Sequence, residues 1–249
     1  MGTSNIHKGP GGKGKLLPDW IDQTNLTEDQ KNAIAKEWTA VKTTLTRLLN
    51  KKGEHNPALL FPHYVKSYGG SKNFVSSSQS FIFGFENVYS FVRDISTIGT
   101  TETIKKLGDE FQGKTFQEIL VIFSNRYFPS GDDKEASAAR SAMSIIFEMI
   151  LNEKTLHPDL DILDDTVLNI ILKSFVVEYI LIRILTDLGS SYEKSTSTPD
   201  EINFMENQIK SYIRDCVENQ VKNIDFIHGE KPVKIDEILL SCMKKLGDE

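Results

Sequence analysis

The sequence is poor in the residues that build disulfide frameworks and metal sites. Its 249 residues include only two cysteines, Cys216 and Cys242, without CxxC or CxxH spacing. Its five histidines are scattered and lack the HExxH or HxH spacing of metal ligands. We therefore expect no disulfide, no metal site and two reduced, largely buried thiols, as in a cytoplasmic protein.

Recognisable catalytic motifs are missing too. The sequence has no GxSxG elbow, which would expose a nucleophilic serine, and no Walker A loop. Residues 9–14 formally match GxGxxG, but no predicted strand precedes them and no helix follows directly, so dinucleotide binding is not expected. The acidic residues at 159–165 lack EF-hand spacing and are interpreted as acid enrichment at a helix N-terminus. We predict a protein without catalytic residues that is not an enzyme.

Long uncharged apolar runs are absent. The most apolar stretch, residues 167–185, contains Lys173, Glu178 and Arg183, each of which would be costly in lipid. We predict that this stretch is a central buried helix rather than a membrane span. The N-terminus has no apolar segment typical of a secretory signal, so we expect a cytoplasmic protein that does not bind membranes.

Charge is distributed unevenly. The 29 Lys and Arg residues against 35 Asp and Glu residues give a net charge of −6, which argues against broad, nonspecific binding to nucleic acid. Residues 1–15 contain Lys8, Lys13 and Lys15 and no acid, so this segment carries +3 and leaves −9 on the remainder. A cationic N-terminal segment is therefore joined to an acidic remainder of the chain.

The first 25 residues are predicted to be a flexible Gly- and Lys-rich tail with an apolar anchor. Residues 1–15 hold five glycines and one proline, and ordering such a stretch loses too much backbone entropy. An apolar cluster follows, which we interpret as the anchor of the tail, with a partner-docking peptide as the alternative. The cluster consists of Leu16, Leu17, Pro18, Trp20 and Ile21. Residues 26–249 are predicted to form a single helical domain.

Helical signals fill the rest of the chain. Thr27 and Gln30 form a predicted capping box, and Thr198 to Glu201 form another around Pro199. No stretch shows convincing strand alternation, so we predict an all-α protein, an irregular multi-helix bundle. An apolar stripe in the first helix consists of Ile34, Trp38, Val41, Leu45 and Leu48. Further helices are predicted at 58–66, 74–95, 101–107, 116–126, 134–151, 164–188, from 199 onward, and at 235–246.

An aromatic-rich segment lies within the predicted helix at 74–95. A nucleobase-stacking platform is one interpretation, but aromatic residues at near-helical spacing more often belong to the core, which is what we predict here. The aromatic residues are Phe81, Phe83, Phe85, Tyr89 and Phe91.

A second candidate contact site is the loop around two adjacent glycines. Its residues are Ser67, Gly69, Gly70 and Ser71, followed by Lys72 and Asn73. Backbone amides of such a loop can bind an anion, particularly where a helix begins directly afterwards. A simple turn between two helices, without a ligand, is the alternative interpretation.

Four short segments together resemble one protein family. They are Met1-Gly-Thr-Ser4, Gly9-Pro-Gly-Gly12, Leu16-Leu-Pro-Asp-Trp20 and His63-Tyr-Val-Lys-Ser-Tyr-Gly-Gly-Ser71. They are similar to the QatB family, a component of the bacterial Qat anti-phage defence system. The most distinctive part of the resemblance is the first 20 residues.

The resemblance implies a partner, the QueC-like enzyme QatC, and a chemical role for Gly2. QueC enzymes activate 7-carboxy-7-deazaguanine with ATP for attack by ammonia, and a protein amine would replace that ammonia. Gly2, exposed by removal of Met1, would be the acceptor, so that an amide joins a deazaguanine group to the chain. Myristoylation of Gly2 is disfavoured because Ile6 stands where that signal needs Ser or Thr.

The expected contacts follow from that role. The implied partner-binding residues are Thr3, Ser4, Lys8, Leu17, Pro18 and Trp20. No cofactor is expected other than the covalent deazaguanine group, and an ATPase and a TatD-like nuclease are possible further Qat partners. The alternatives are a nucleic-acid-binding or adaptor module that uses the basic tail and the Gly69-Gly70 loop, and an unrecognised enzyme.

Overall fold

The computed structural model describes residues 27–50, 56–128, 134–156, 164–192, 198–229 and 233–248. Within these ranges the chain forms nine α-helices and two short 3-10 helices, at Pro57–Leu60 and Asp109–Phe111, and no strand. The all-α prediction is confirmed, while the predicted tail and anchor lie outside the described residues. The helices are α1 Glu28–Asn50, α2 Phe61–Ser67, α3 Ser71–Ser76, α4 Gln79–Leu107, α5 Phe116–Tyr127, α6 Lys134–Leu156, α7 Asp165–Tyr192, α8 Pro199–Val221 and α9 Ile235–Gly247.

Contacts divide the chain into two compact units. The first unit comprises Met1–Ser77, Asp187–Cys216 and Leu240–Glu249, and the second comprises Ser78–Thr186 and Val217–Leu239. Helices α7, α8 and α9 each contribute residues to both units. The expectation of one helical domain over residues 26–249 stays a prediction.

Helix starts follow the local capping signals. The Thr27 amide donates to Gln30 Oε1 at 2.9 Å and the Gln30 amide donates to Thr27 Oγ1 at 3.3 Å, which confirms the first capping box. The box at Thr198 and Glu201 is confirmed in the same way, at 2.8 and 3.3 Å. A third box at Thr115 was missed; its backbone amide, donating to Glu118, lowers the pKa of that carboxyl.

The core of the first unit is tied together by a buried carboxylate. Asp187 on α7 is only 7% exposed and accepts hydrogen bonds from the phenols of Tyr64 at 2.8 Å and Tyr68 at 2.5 Å. Tyr64 and Tyr68 lie one turn apart on α2 and its C-terminal end, with their rings 5.4 Å apart. Because these bonds join residues more than a hundred positions apart, they fix α2 against the last part of α7.

The second unit buries a different carboxylate. Glu135 near the start of α6 is 7% exposed and accepts hydrogen bonds from the amides of Ser80 at 3.2 Å and Phe81 at 3.0 Å. It also accepts one from the phenol of Tyr179 at 3.1 Å, whose ring stacks on Phe81 at 3.8 Å. The carboxylate therefore satisfies the first amides of α4 from another helix.

The predicted helix at 74–95 is wrong at its start, whereas its predicted separation from a helix at 101–107 corresponds to an interruption of helical backbone at Gly99. Helix α3 stops at Ser76, and α4 begins at Gln79 and continues to Leu107 through a kink at Gly99, where φ is 85°. Ser77 Oγ donates to the Phe74 carbonyl at 2.8 Å. Such local side-chain bonds compete with helix continuation and favour the end of α3 at this position.

Most of the aromatic residues are core residues, as predicted, with one exception. Phe81, Phe85 and Phe91 are buried and Tyr89 is half-buried, whereas Phe83 is 55% exposed. Phe83 lies two positions from Phe81 and Phe85, so on a helix of 3.6 residues per turn it faces away from them.

The prediction of two largely buried thiols is correct in part, because Cys242 is buried and Cys216 on α8 is half-buried. Met205, Ile209 and Ile213 are buried, but Ile202, Tyr212 and Cys216 are only half-buried. Both cysteines are free thiols, and burial raises the pKa of Cys242 to about 12.

No helix within the described ranges combines the length and apolar character needed to cross a bilayer. In the second unit, α7 buries Leu172, Phe175, Val176 and Ile180, as the prediction of a buried helix required.

A matched pair of glycine substitutions tests the packing of the second unit against helix propensity. A Cβ at Gly84 in α4 would lie 2.1 Å from the ring of Phe128, so Gly84→Ala is expected to destabilise by about 1–3 kcal/mol through overpacking. Gly189 in α7 has nothing within 4 Å of the corresponding Cβ, so Gly189→Ala is expected to stabilise by about 0.5–1 kcal/mol. Urea unfolding measures both, and stabilisation by Gly84→Ala would contradict the packing.

Removing one phenol tests the buried carboxylate of the first unit. Tyr68→Phe deletes a hydrogen bond to Asp187, and the expected loss is about 1.5–3 kcal/mol because the acceptor is a buried carboxyl group. The control is Tyr89→Phe, whose half-buried phenol makes no hydrogen bond with a described residue, and the expected change is within about 0.5 kcal/mol. Equal unfolding midpoints for the two variants would show that the Tyr68 bond contributes nothing.

Candidate functional site

Helices α1 and α2 run antiparallel in the first unit. Nδ1 of His63 lies 2.7 Å from Oε2 of Glu37, and a Cβ at Gly69 would lie 3.8 Å from Cδ1 of Ile34. Residues later in α2 therefore lie beside residues earlier in α1. The C-terminal end of α2 and the beginning of α1 consequently lie at the same end of the first unit.

We call this end, formed by residues 27–31 and 66–73, the tail-side end. Thr27 begins the capping box of α1 and lies about 10 Å along the helix from the level of Ile34. Because residues 1–26 precede Thr27 directly, the N-terminal segment joins the first unit here. The tail-side end is therefore the part of the described chain closest in sequence to the predicted acceptor.

Two glycines turn the chain between α2 and α3. Gly69 and Gly70 have φ values of 79° and 99°, which favour glycine over residues with a Cβ. The Gly69 amide donates to the Lys66 carbonyl at 2.8 Å and the Gly70 amide donates to the Val65 carbonyl at 3.1 Å. These bonds close the end of α2 in the manner of a Schellman motif.

The structure places the four predicted anion-contact residues in this turn. Ser67 is buried and its Oγ donates to the Tyr64 carbonyl at 2.7 Å, and Ser71 is buried as well. The amides of Gly69 and Gly70 are already donors to α2 carbonyls. This geometry matches the alternative interpretation, a simple turn between two helices. The anion contact stays a prediction.

The exposed groups at the tail-side end are polar and carry both signs of charge, with Glu28 and Asp29 on the α1 side and two lysines on the α2–α3 side. Lys66 and Lys72 are exposed and form no ion pair with a described residue. Asn73 is exposed too, and its side-chain amide donates to the Gly69 carbonyl at 3.2 Å. Nζ of Lys31 lies 3.3 Å from Oε1 of Glu28 within the first turn of α1. The α2–α3 side of this surface can attract an acidic partner, because the ammonium groups of Lys66 and Lys72 face solvent there.

The remaining predicted site residues fall in the N-terminal segment. Gly2, Thr3, Ser4, Lys8, Leu17, Pro18 and Trp20 lie outside the described residues. Covalent geometry limits the distance from Gly2 to Thr27 to roughly 90 Å for a fully extended chain. Their roles stay predictions.

The imidazole–carboxylate pair of His63 and Glu37 could not be predicted from the sequence. Their 26-residue separation gives no local signal, and only the antiparallel packing of α1 and α2 brings them together. Within the described ranges no group of three or more His, Cys, Asp and Glu side chains is arranged to hold a metal ion.

Comparison with known proteins tests the predicted family. The family model of the Qat anti-phage system associated protein QatB matches residues 69–234, well over half of the chain, from the glycine turn to the residues before α9. No curated protein and no solved structure matches the chain. The predicted family is therefore confirmed, although Met1 to Trp20 lie outside the matched range. The chain belongs to the QatB family and is a component of the Qat anti-phage defence system.

Proposed function

We propose that the protein is a non-enzymatic subunit of the Qat system that binds the QueC-like enzyme QatC. In this proposal the subunit presents its processed N-terminal glycine, Gly2, as the acceptor of a 7-deazaguanine-type group. Membership of the QatB family supports the proposal, because it assigns the chain to the same defence system. The attachment of the N-terminal segment at Thr27, within the tail-side end, supports it independently.

The proposed reaction joins the Gly2 amine to an activated carboxylate. The QueC-like enzyme activates 7-carboxy-7-deazaguanine with ATP, which releases pyrophosphate and leaves an adenylate. The uncharged Gly2 nitrogen attacks the carbonyl carbon, a C–N bond forms, the bond to the AMP oxygen breaks, and the nitrogen loses a proton. An α-amino group has a pKa of about 8, so an appreciable fraction is uncharged near neutral pH. Removal of Met1 is required because it frees this nitrogen.

The residues next to Gly2 suit a narrow active site. Glycine has no Cβ, so its amine is the least hindered one available at a chain terminus. Thr3 and Ser4 are small and can hydrogen-bond within a channel. Lys8 adds a positive charge that favours an acidic or nucleotide-bearing surface, and Leu17, Pro18 and Trp20 supply apolar contacts.

The observation that carries the proposal is the shared location of the tail attachment and two exposed lysines. The capping box fixes the beginning of α1 at the tail-side end, where Lys66 and Lys72 are exposed. An enzyme docked on this surface binds the body and the tail of one chain, so the amine is delivered at a high effective concentration. We therefore place the enzyme's docking surface at the tail-side end.

Mass spectrometry of the N-terminal peptide tests the acceptor. Protein co-expressed with the QueC-like enzyme is expected to lose Met1 and to carry a heterocyclic adduct on Gly2, and the adduct should be absent with an inactive enzyme. Gly2→Ala is expected to lower the modified fraction because the added methyl group hinders the amine. An unmodified Gly2 beside an enzyme that converts its substrate with ammonia would contradict the acceptor role.

Single charge reversals test the docking surface separately. Lys66→Glu and Lys72→Glu are each expected to slow modification about three- to tenfold at low salt, with less effect at high salt, because rim charges mainly steer association. The control is Arg47→Glu, an exposed position about 30 Å along α1 from Thr27. Normal rates for both lysine variants would place the docking surface elsewhere and leave the Gly2 chemistry standing.

A further inference from the structure

A groove in the second unit lies between α5 and α6. It has a volume of about 340 Å³, with Leu120, Phe147 and Leu151 as its apolar lining. The polar side chains along it are Gln117, Ser124, Asn125, Arg140, Ser144 and Glu148. Val121 on the α5 side of the groove is 55% exposed and adds an apolar side chain to its rim.

Arg140 is held at one end of the groove. Its Nη1 donates to the Phe128 carbonyl at 2.8 Å and its Nη2 donates to Asn125 Oδ1 at 2.6 Å. These bonds join the end of α5 to the first half of α6, and the ring of Phe123, earlier in α5, lies 5.7 Å from that of Phe147, later in α6, so the two helices run antiparallel. They also orient a guanidinium group that keeps further N–H donors.

The outer face of α6 suits close approach by another helix. Its exposed residues Ser137, Ser141 and Ser144 have short side chains, and Glu148 is the exposed charge that follows them. Ile145 beside Ser144 is 36% exposed. A solvated helix face usually carries several charges, whereas this one is small, weakly charged and continuous with an apolar-lined groove.

The charges on this face are placed so that two copies of the face can pair with each other. Arg140 and Glu148 lie four residues before and four residues after Ser144, or about 6 Å along the helix in each direction. If a second copy packs its α6 antiparallel with Ser144 on the two-fold axis, Arg140 of each copy lies opposite Glu148 of the other. A two-fold interface has this property because the same patch contributes both halves.

We propose that the α5–α6 face is a homodimer interface, in which α5 and α6 of two copies form a four-helix arrangement centred on Ser144. The short Ser144 side chain allows the two α6 helices to approach at the axis. Val121 and the apolar lining of the groove lose solvent contact in the dimer. We assign this face to a second copy of the chain because the opposite charges of Arg140 and Glu148 are equally spaced about Ser144.

Sedimentation velocity of the full chain tests the dimer. The unmodified sequence is expected to form a concentration-dependent dimer. Arg140→Glu and Glu148→Arg are each expected to raise the dimer Kd about tenfold or more, because each variant sets two pairs of like charges opposite each other. An equimolar mixture of the two variants is expected to recover the dimer, because each introduced charge then faces its complement. The control is Glu86→Arg on α4, an exposed residue with no ion pair to a described residue, and it should leave the Kd unchanged.

A second variant keeps the test decisive if Arg140→Glu loses its fold, since Arg140 also bonds within the chain. Ser144→Trp places a ring on the proposed axis and removes only the exposed bond of Ser144 Oγ to the Arg140 carbonyl, so a folded monomer is expected. A wild-type monomer at high micromolar concentration would overturn the proposal, as would a dimer that survives Glu148→Arg and Ser144→Trp. A monomer whose α5–α6 variants lose binding to the QueC-like enzyme would assign the face to that enzyme and overturn it too.

Discussion

The buried carboxylate of Asp187 constrains the whole arrangement of the first unit. A carboxylate removed from water destabilises the fold by several kcal/mol unless hydrogen bonds replace the lost solvation, so the phenols of Tyr64 and Tyr68 have to point at it. Both phenols lie on one face of α2, and Lys66 is consequently turned to solvent. The same bonds hold α2 against α7 and therefore determine where the Gly69-Gly70 turn at the end of α2 is presented. The candidate docking surface is thus a consequence of a bond in the core.

Glu135 applies a similar constraint in the second unit, but to a helix terminus. The residue before α4, Ser78, makes no capping bond with its side chain, so the first amides of α4 depend on another acceptor. Glu135 supplies it from α6, 54 and 55 residues later. This arrangement explains why α4 starts at Gln79 rather than continuing from α3. It also places Phe81 against Tyr179, which joins the beginning of α4 to α7.

Sequence analysis succeeded where the physical cause is local. The capping boxes at Thr27 and Thr198 close within three residues, and the α1 stripe from Ile34 to Leu48 follows helical periodicity alone. It failed at the α3–α4 break, because the acceptor that starts α4 is far away in sequence.

The features of the candidate site also divide into those with a local cause and those with a long-range cause. The glycine turn was recognised from its composition, since two adjacent glycines mark a turn whatever surrounds them. The inward direction of Tyr64 and Tyr68 depends on Asp187, more than a hundred residues away, so the sequence alone left the segment open between a contact loop and a simple turn between two helices. The pairing of His63 with Glu37 has the same long-range origin.

Two kinds of constraint act on different parts of this chain. Packing governs the body, where a residue such as Gly84 or Tyr68 is restricted by specific neighbours. A segment that serves as the substrate of an enzyme needs an open amine at its end, small residues beside it and enough length to reach the active site. These demands specify few residue types, which is in keeping with a family match that covers residues 69–234 and not the N-terminal segment. Changes at Gly2 should therefore alter the proposed chemistry without altering folding, so that the two can be measured independently in one protein.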